Sequence, residues 1–179
     1  MFYSLPTTIN IDGTEYAIRS DYRVILDIIT MLNDESLTAA ERAEDAIIML
    51  YEEIPQNAEE ALKQCFRFID MGRSSGKKAP RLMDWERDFP YIIAPVNRVL
   101  GYEARTVDYL HWWSFMSAYM EMSECVMSQI VNIRQKLAKG KKLEKYEREW
   151  LRQNRDIVNL PQKYTAEDEE MLKKWTGGG

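Results

Sequence analysis

Apolar positions alternate with polar ones at the start of the chain and then recur every three to four residues from Ser20 onward. The pattern predicts a short β-ribbon followed by helices. In TTINIDGTEYAI, residues 7–18, Asp12-Gly13 suits the two centre positions of a type I′ turn, both of which need positive φ. That turn pairs Ile11 with Thr14, Ile9 with Tyr16 and Thr7 with Ile18, and it collects Ile9, Ile11, Tyr16 and Ile18 on one face. Because an isolated hairpin is only marginally stable, this face predicts a helix beneath it.

Helix signals follow with clear punctuation. Val24, Ile25, Ile28, Ile29 and Leu32 lie at helical spacing after a cap at Ser20 or Asp21. Thr38 to Glu41 has the capping-box pattern, with Ala43, Ile47, Leu50 and Ile54 as the face behind it. Asn57 to Glu60 repeats the device ahead of Leu62, Phe66 and Ile69. GRSSGKKAP, residues 72–80, reads as a flexible loop; three residues separate its glycines where a phosphate-binding P-loop has four, and Lys78 stands where that loop has Ser or Thr. Trp85, Phe89, Ile92, Ile93, Val96 and Leu100 predict a helix that begins near one of Pro90 and Pro95, or is kinked by them, and stops at Gly101.

A cap at Thr106 or Asp108 then opens an aromatic helix. Trp112, Phe115, Tyr119 and Met122 make one stripe and Leu110, Trp113, Met116 and Met120 another, so the helix should be enclosed on most sides. Val126, Ile130, Ile133 and Leu137 form a narrow seam ending at Gly140, and Leu143, Tyr146, Trp150, Ile157 and Val158 continue before Pro161. The expected architecture is a mainly α, single domain over residues 1–179: a bundle of about six to eight helices with an N-terminal β-hairpin. Its parts are a hairpin (1–20), N-terminal helices (21–71), the loop (72–80), a C-terminal helical core (81–160), and a terminal helix with a flexible glycine tail (161–179).

Composition adds limits. Apolar residues make up 45% and charged residues 30%, proportions of a soluble globular protein and not of a disordered one. The net charge of -5 argues against a general nucleic-acid binder. The charge is unevenly placed: nine acids against one base between Asp34 and Glu60, and seven bases against two acids between Arg134 and Arg148. Such polarity suits head-to-tail self-association or a charged partner. The start has no basic region of the kind that opens a signal peptide, and no apolar run reaches the roughly 20 residues of a membrane span, so a cytoplasmic location and no membrane partner are expected.

Catalytic chemistry is sparse. Cys65 and Cys125 lie apart with no CxxC pattern, and His111 is the single histidine, so no metal-site spacing exists. His111 has Asp108 and Ser114 at i-3 and i+3, which permits local hydrogen bonds but assembles no nucleophile with a base; it reads as a structural histidine. No dinucleotide loop or nucleophile elbow is present, and no catalytic residue, cofactor or metal is expected. The basic segment RQKLAKGKKLEKYERE could meet phosphates, with Tyr146 and Trp150 stacking on bases, but its acids recur among its bases, as Glu144 does with Arg148, so a self-paired exposed helix pair explains it more simply. Met116, Met120, Met122 and Met127 suit either a core or a surface that adapts to varied apolar partners.

The succession INIDGTEYAIRSDYRVILDI, DWERDFPYIIAPVNRVLGYEAR, LHWWSFMSAYMEM and IVNIRQKLAKGKKLEKYEREWLRQNRDIV resembles the gene-product-fifteen family of tailed phages and prophages, from about Ile9 to Leu160. The resemblance implies a non-enzymatic tail assembly chaperone in the cytoplasm of the bacterial host. Such a protein binds and solubilises the tape-measure protein during tail morphogenesis and is absent from the mature virion. It implies many copies with self-association, and the major tail protein and a second tail assembly chaperone as further partners. Under it, Trp112, Trp113, Phe115, Met116 and Tyr119 form the helical core or groove, with Ile130, Ile133, Arg134, Lys141 and Lys142 beside it. Trp112 and Trp113 project about 100° apart on a helix, so one of them should be core. The competing readings are a structural head-to-tail connector or minor virion component, and a phage nucleic-acid-binding regulator using residues 134–152.

Overall fold

The computed structural model describes residues 4–73, 80 and 82–160. The hairpin forms as its turn dictates. Strands β1 (Thr8–Ile11) and β2 (Thr14–Ala17) pair antiparallel with Ile11 opposite Thr14 and Ile9 opposite Tyr16, and Asp12 and Gly13 take φ of 50° and 89°. Ile11 and Ile18 are buried, while Ile9 and Tyr16 pack against the core at half burial.

Eight α-helices follow among the described residues, confirming a mainly α chain with an N-terminal hairpin. Asp21 caps α1 (Tyr22–Leu32), and Thr38 with Glu41 closes the capping box of α2 (Ala39–Leu50). At α3 (Ala58–Ile69) only half of the device forms. Asn57 accepts from the Glu60 amide, but the Glu60 carboxylate turns to Lys63 and Gln64 instead. The α4 helix (Trp85–Leu100) contains both prolines and stops at Gly101, whose φ of 79° is the left-handed conformation glycine adopts without penalty. A 3-10 turn (Ala104–Thr106) precedes α5 (Trp112–Met120), α6 (Val126–Ala138), α7 (Lys145–Gln153) and the single turn α8 (Arg155–Val158).

Three faces differ from those the spacing predicts. The α2 helix ends at Leu50, so Ile54 leaves its face and stands 63% exposed. The chain beyond Leu50 is recruited by the hairpin: Ile18 bridges Tyr51, Glu52 donates its amide to Ala17, and the Arg19 guanidinium caps the carbonyls of Ile48, Met49 and Tyr51. Pro55 then disfavours helix at Ile54. On α3 the buried line is Ala61, Cys65 and Phe68, not Leu62, Phe66 and Ile69. The small Ala61 and Cys65 admit Tyr51, whose hydroxyl donates to the Ala61 carbonyl at 2.9 Å, and Phe66 is left exposed. On α6 the buried residues are Met127, Ile130, Ile133 and Arg134, while Val126 and Leu137 are exposed at the two ends of the helix.

The cap expected at Thr106 or Asp108 also lies elsewhere. Residues 107–111 are drawn out by tertiary bonds: the Asp21 carboxylate accepts from the Leu110 amide, Tyr22 donates its amide to Leu110, and Trp112 donates its amide to Ser20. The helix can begin only after these bonds are made, and its cap is His111.

One cluster of buried apolar side chains extends from Ile11 of the hairpin to Ile130 of α6. Beside it lies a buried ion pair. Arg134 on α6 and Asp88 on α4 are 4% and 1% exposed at the side chain and meet through two charge-assisted hydrogen bonds of 2.5 and 2.9 Å. The guanidinium also donates to the carbonyls of Leu82, Ile157 and Val158, so all five of its N–H groups are used. Asp88 further accepts from the Asp84 amide. Of the predicted loop, residues 74–79 lie outside the described residues, as do the predicted terminal helix and glycine tail.

Removing one member of a buried pair strands the other without solvent, at a cost of about 3–5 kcal/mol. Arg134→Met should therefore lose that much in urea unfolding, and Asp88→Asn less, because an amide oxygen still accepts from Asp84 and from the guanidinium. Wild-type midpoints for both variants would show that the pair does not hold α4 to α6.

Candidate partner-binding surfaces

His111 is the chain's single imidazole and both of its ring nitrogens are engaged. Nδ1 accepts the Trp113 amide at 3.0 Å, so the proton sits on Nε2, which donates to the Pro6 carbonyl at 2.9 Å. The ring is 2% exposed and packs edge-on to Phe68 and Trp113. Burial depresses its pKa against the raising influence of the Pro6 bond. A base with no free nitrogen is poorly placed for proton transfer. His111 instead ties the segment before β1 to the start of α5.

The two tryptophans beside it also serve structure. Trp112 is buried and Trp113 half-buried, as the angle between them requires, yet their indole N–H groups converge on one target. Trp112 donates to the Ile69 carbonyl and Trp113 to the Phe68 carbonyl, both at 2.9 Å, at the C-terminal end of α3, where the Phe68 carbonyl also accepts the Met71 amide. Phe115 is fully buried and stacks on Tyr22 with ring centroids 4.6 Å apart. Met116 and Tyr119 are half-buried, Ile130 and Ile133 fully buried, and Arg134 belongs to the ion pair. Of the ten residues singled out from the sequence, Lys141 and Lys142 alone are exposed. Of the methionines on or just after the aromatic helix, Met127 at the start of α6 is buried and Met120 is 43% exposed.

The basic segment is less free than its composition suggests. Glu147 is fully buried; its carboxylate accepts from Lys136 at 2.6 Å, from Asn132 at 2.9 Å and from the Glu144 amide at 2.8 Å. The Lys136 bond is the largest influence lowering the Glu147 pKa, and the same bond raises that of Lys136. Glu144 does not pair with Arg148, which donates to the Leu143 carbonyl instead. Lys139, Lys141, Lys142 and Lys145 stay exposed around the turn between α6 and α7.

Two surface depressions were not foreseen. The first lies between α2 and α3, about 510 Å³, lined by Ala40, Ala43, Ile47, Ile48, Ile54, Ala58 and Leu62 with Glu44 and Glu59 on it. It exists because Ala61 and Cys65 take the inner face of α3 and leave Leu62 on the other side. Adjacent Ile47 and Ile48 were the available signal, since neighbours on a helix project about 100° apart and one of them can be left outside the core. The second runs between α1 and α4 as two hollows of about 430 and 460 Å³ that share Thr30, Trp85 and Glu86. Its walls include Leu26, Ile29, Met31, Met83 and Phe89, and its charges are mixed: Arg23 and Arg105 against Asp27, Asp34, Asp84 and Glu86.

Among the described residues no three acidic, histidine or cysteine side chains gather as a metal site, and no helix is long and apolar enough to cross a membrane. Cys65 is buried, and desolvation pushes its thiol pKa up to about 12, the opposite of what a nucleophile requires.

Since His111 is held neutral, its folded pKa lies below the unfolded value of about 6.5. The unfolded chain then binds the proton more readily, so the stability contribution is complete above that pH and is lost as pH falls through the folded pKa. The ring's proton signals should titrate below about 6.5, and His111→Gln should flatten the stability profile just under that pH. A titration at or above the unfolded value would exclude the buried neutral tautomer.

No curated protein and no solved structure matches the chain. The family described as bacteriophage Gp15 protein matches residues 2–160, thus spanning the hairpin and the eight helices of the described residues. The chain belongs to the bacteriophage Gp15 protein family.

Proposed function

We propose that this phage protein is a non-enzymatic tail assembly chaperone that receives helical segments of the tape-measure protein in the groove between α1 and α4. The observation that carries the reading is the chemistry of that groove. Met31, Met83, Trp85 and Phe89 supply large apolar surface, with acids on both hollows and the bases Arg23 and Arg105 on one of them. A flexible thioether surface accepts many apolar sequences without strict register. A client that presents one long amphipathic helix after another demands this tolerance, and its mixed charges find opposite signs along the same groove. Phage membership supports the setting, and the engagement of His111, Cys65 and Glu147 in packing supports a role without turnover.

The nucleic-acid reading draws less support. Arg134 and Lys136 are committed to internal carboxylates, Arg148 donates to a backbone carbonyl and Arg152 pairs with Glu149 at 3.8 Å, which leaves four lysines at one turn in a chain of net charge -5. Electrostatic binding to phosphates scales with the number of cations delivered.

The test is co-expression with the tape-measure protein of the same phage, followed by size separation with light scattering. The expected result is a tape-measure protein kept in solution with many copies of this chain bound, and loss of that effect in Leu26→Glu, a half-buried groove position, at unchanged helical circular dichroism. If the tape-measure protein stays insoluble beside abundant folded chain, the chaperone reading fails; if the chain is found in purified virions, the connector reading replaces it.

A further inference from the structure

We propose that copies of this protein associate head to tail, with the basic turn between α6 and α7 of one copy seated in the apolar cleft between α2 and α3 of the next. The proposal does not depend on the tape-measure reading, because it uses different surfaces. It begins with two patches that are complementary in both apolarity and charge.

The cleft is an acidic hollow. Ile48 is 45% and Ile54 63% exposed, large losses of hydrophobic burial for side chains that usually lie inside. Glu44 and Glu59 stand on the cleft, and Glu52 and Glu53 are exposed in the chain that joins α2 to α3. The turn is a basic projection. Every residue from Leu137 to Lys142 is exposed, with Leu137 at 47% and Tyr146, at the start of α7, at 64%. Lys139, Lys141, Lys142 and Lys145 lie between those two residues along the chain, and Glu144 is the one acid of the turn, with its backbone amide held by Glu147.

Neither patch is satisfied within its own copy. Among the described residues, Glu44, Glu52, Glu53 and Glu59 form no ion pair, and neither do Lys139, Lys141, Lys142 and Lys145. The principal packing partners of α2 are α1 and α3, whereas those of α6 are α4 and α8. Because the two patches have opposite charge, cleft against cleft or turn against turn would place like charges together, which costs several kcal/mol at an interface. A symmetric dimer through either patch is thereby disfavoured. Cleft against turn is heterologous, so each added copy exposes another cleft and another turn, and growth continues until a ring closes or a chain extends.

Sedimentation velocity over a range of concentrations tests this directly. The expected result is mass that grows past a dimer with concentration and falls as salt rises, because the exposed charges are screened. Two charge-reversed variants, Glu44→Lys with Glu59→Lys and Lys141→Glu with Lys142→Glu, should each weaken association by about 100-fold or more. Mixing them should restore it, since each supplies the intact patch the other lacks. Ile54→Asp should also dissociate the assembly, and because all these positions except half-covered cleft atoms are solvent-facing, circular dichroism should match wild type. A chain that stays monomeric at every concentration, associates equally well in both variants, or is not rescued by mixing would overturn the proposal.

Discussion

The two-pronged contact of Arg134 with Asp88 is the constraint around which the C-terminal half is arranged. Neither charge could enter a dry interior alone, so α6 and α4 must arrive together and in one relative rotation. The remaining N–H groups then determine where the chain goes next. They require carbonyls at Leu82, Ile157 and Val158, which holds the segment leading into α4 and the single turn α8 against the same helix. A four-residue helix has little stability of its own. Here α8 persists as an acceptor for a buried cation. The pair contributes little net stability compared with apolar packing of the same volume, but it leaves few alternative arrangements with every donor satisfied.

Local chemistry prevails wherever no distant partner competes. Asp12-Gly13, Thr38 with Glu41, and Gly101 each act through atoms within a few residues, and each forms as the sequence predicts. The misread faces are the ones that a distant group selects. The start of α5 is delayed because Asp21, Tyr22 and Ser20 hold residues 110–112 in extended pairing, and Asp21 is 89 positions from Leu110. The inner face of α3 is the one that meets Tyr51, whose hydroxyl donates to the Ala61 carbonyl and for which Ala61 and Cys65 are smaller neighbours than Leu62 and Phe66. Periodicity can show that α3 has two apolar lines. It cannot show which one meets a tyrosine.

The same limit governs the surfaces. Large aromatics draw attention in a sequence because they carry the most burial energy, and for that reason they are the residues a fold puts inside. Trp112, Phe115 and Ile130 are core, and the indole N–H groups of Trp112 and Trp113 find the carbonyls at the end of α3, so the LHWWSF segment reads as architecture. The α2–α3 cleft is made of alanine, isoleucine and leucine at positions that would pass for ordinary helix interior, and it becomes a surface only once the other line of α3 has turned inward.

Charge completes the selection. Between Arg134 and Arg148 the bases look uniform in sequence, yet the fold separates them into two populations. Arg134 and Lys136 are spent on Asp88 and Glu147, carboxylates that would be intolerable inside without them. The lysines of the turn meet no such need and remain in water, at the point where Gly140, with φ of 62°, reverses the chain after α6. A cation at that position stabilises nothing within its own copy beyond the nearby helix end. Its projection beside exposed Leu137 and Tyr146 carries a solvation cost for the apolar groups that only contact with another surface removes, and the acidic, apolar cleft at α2–α3 is the described surface of matching character.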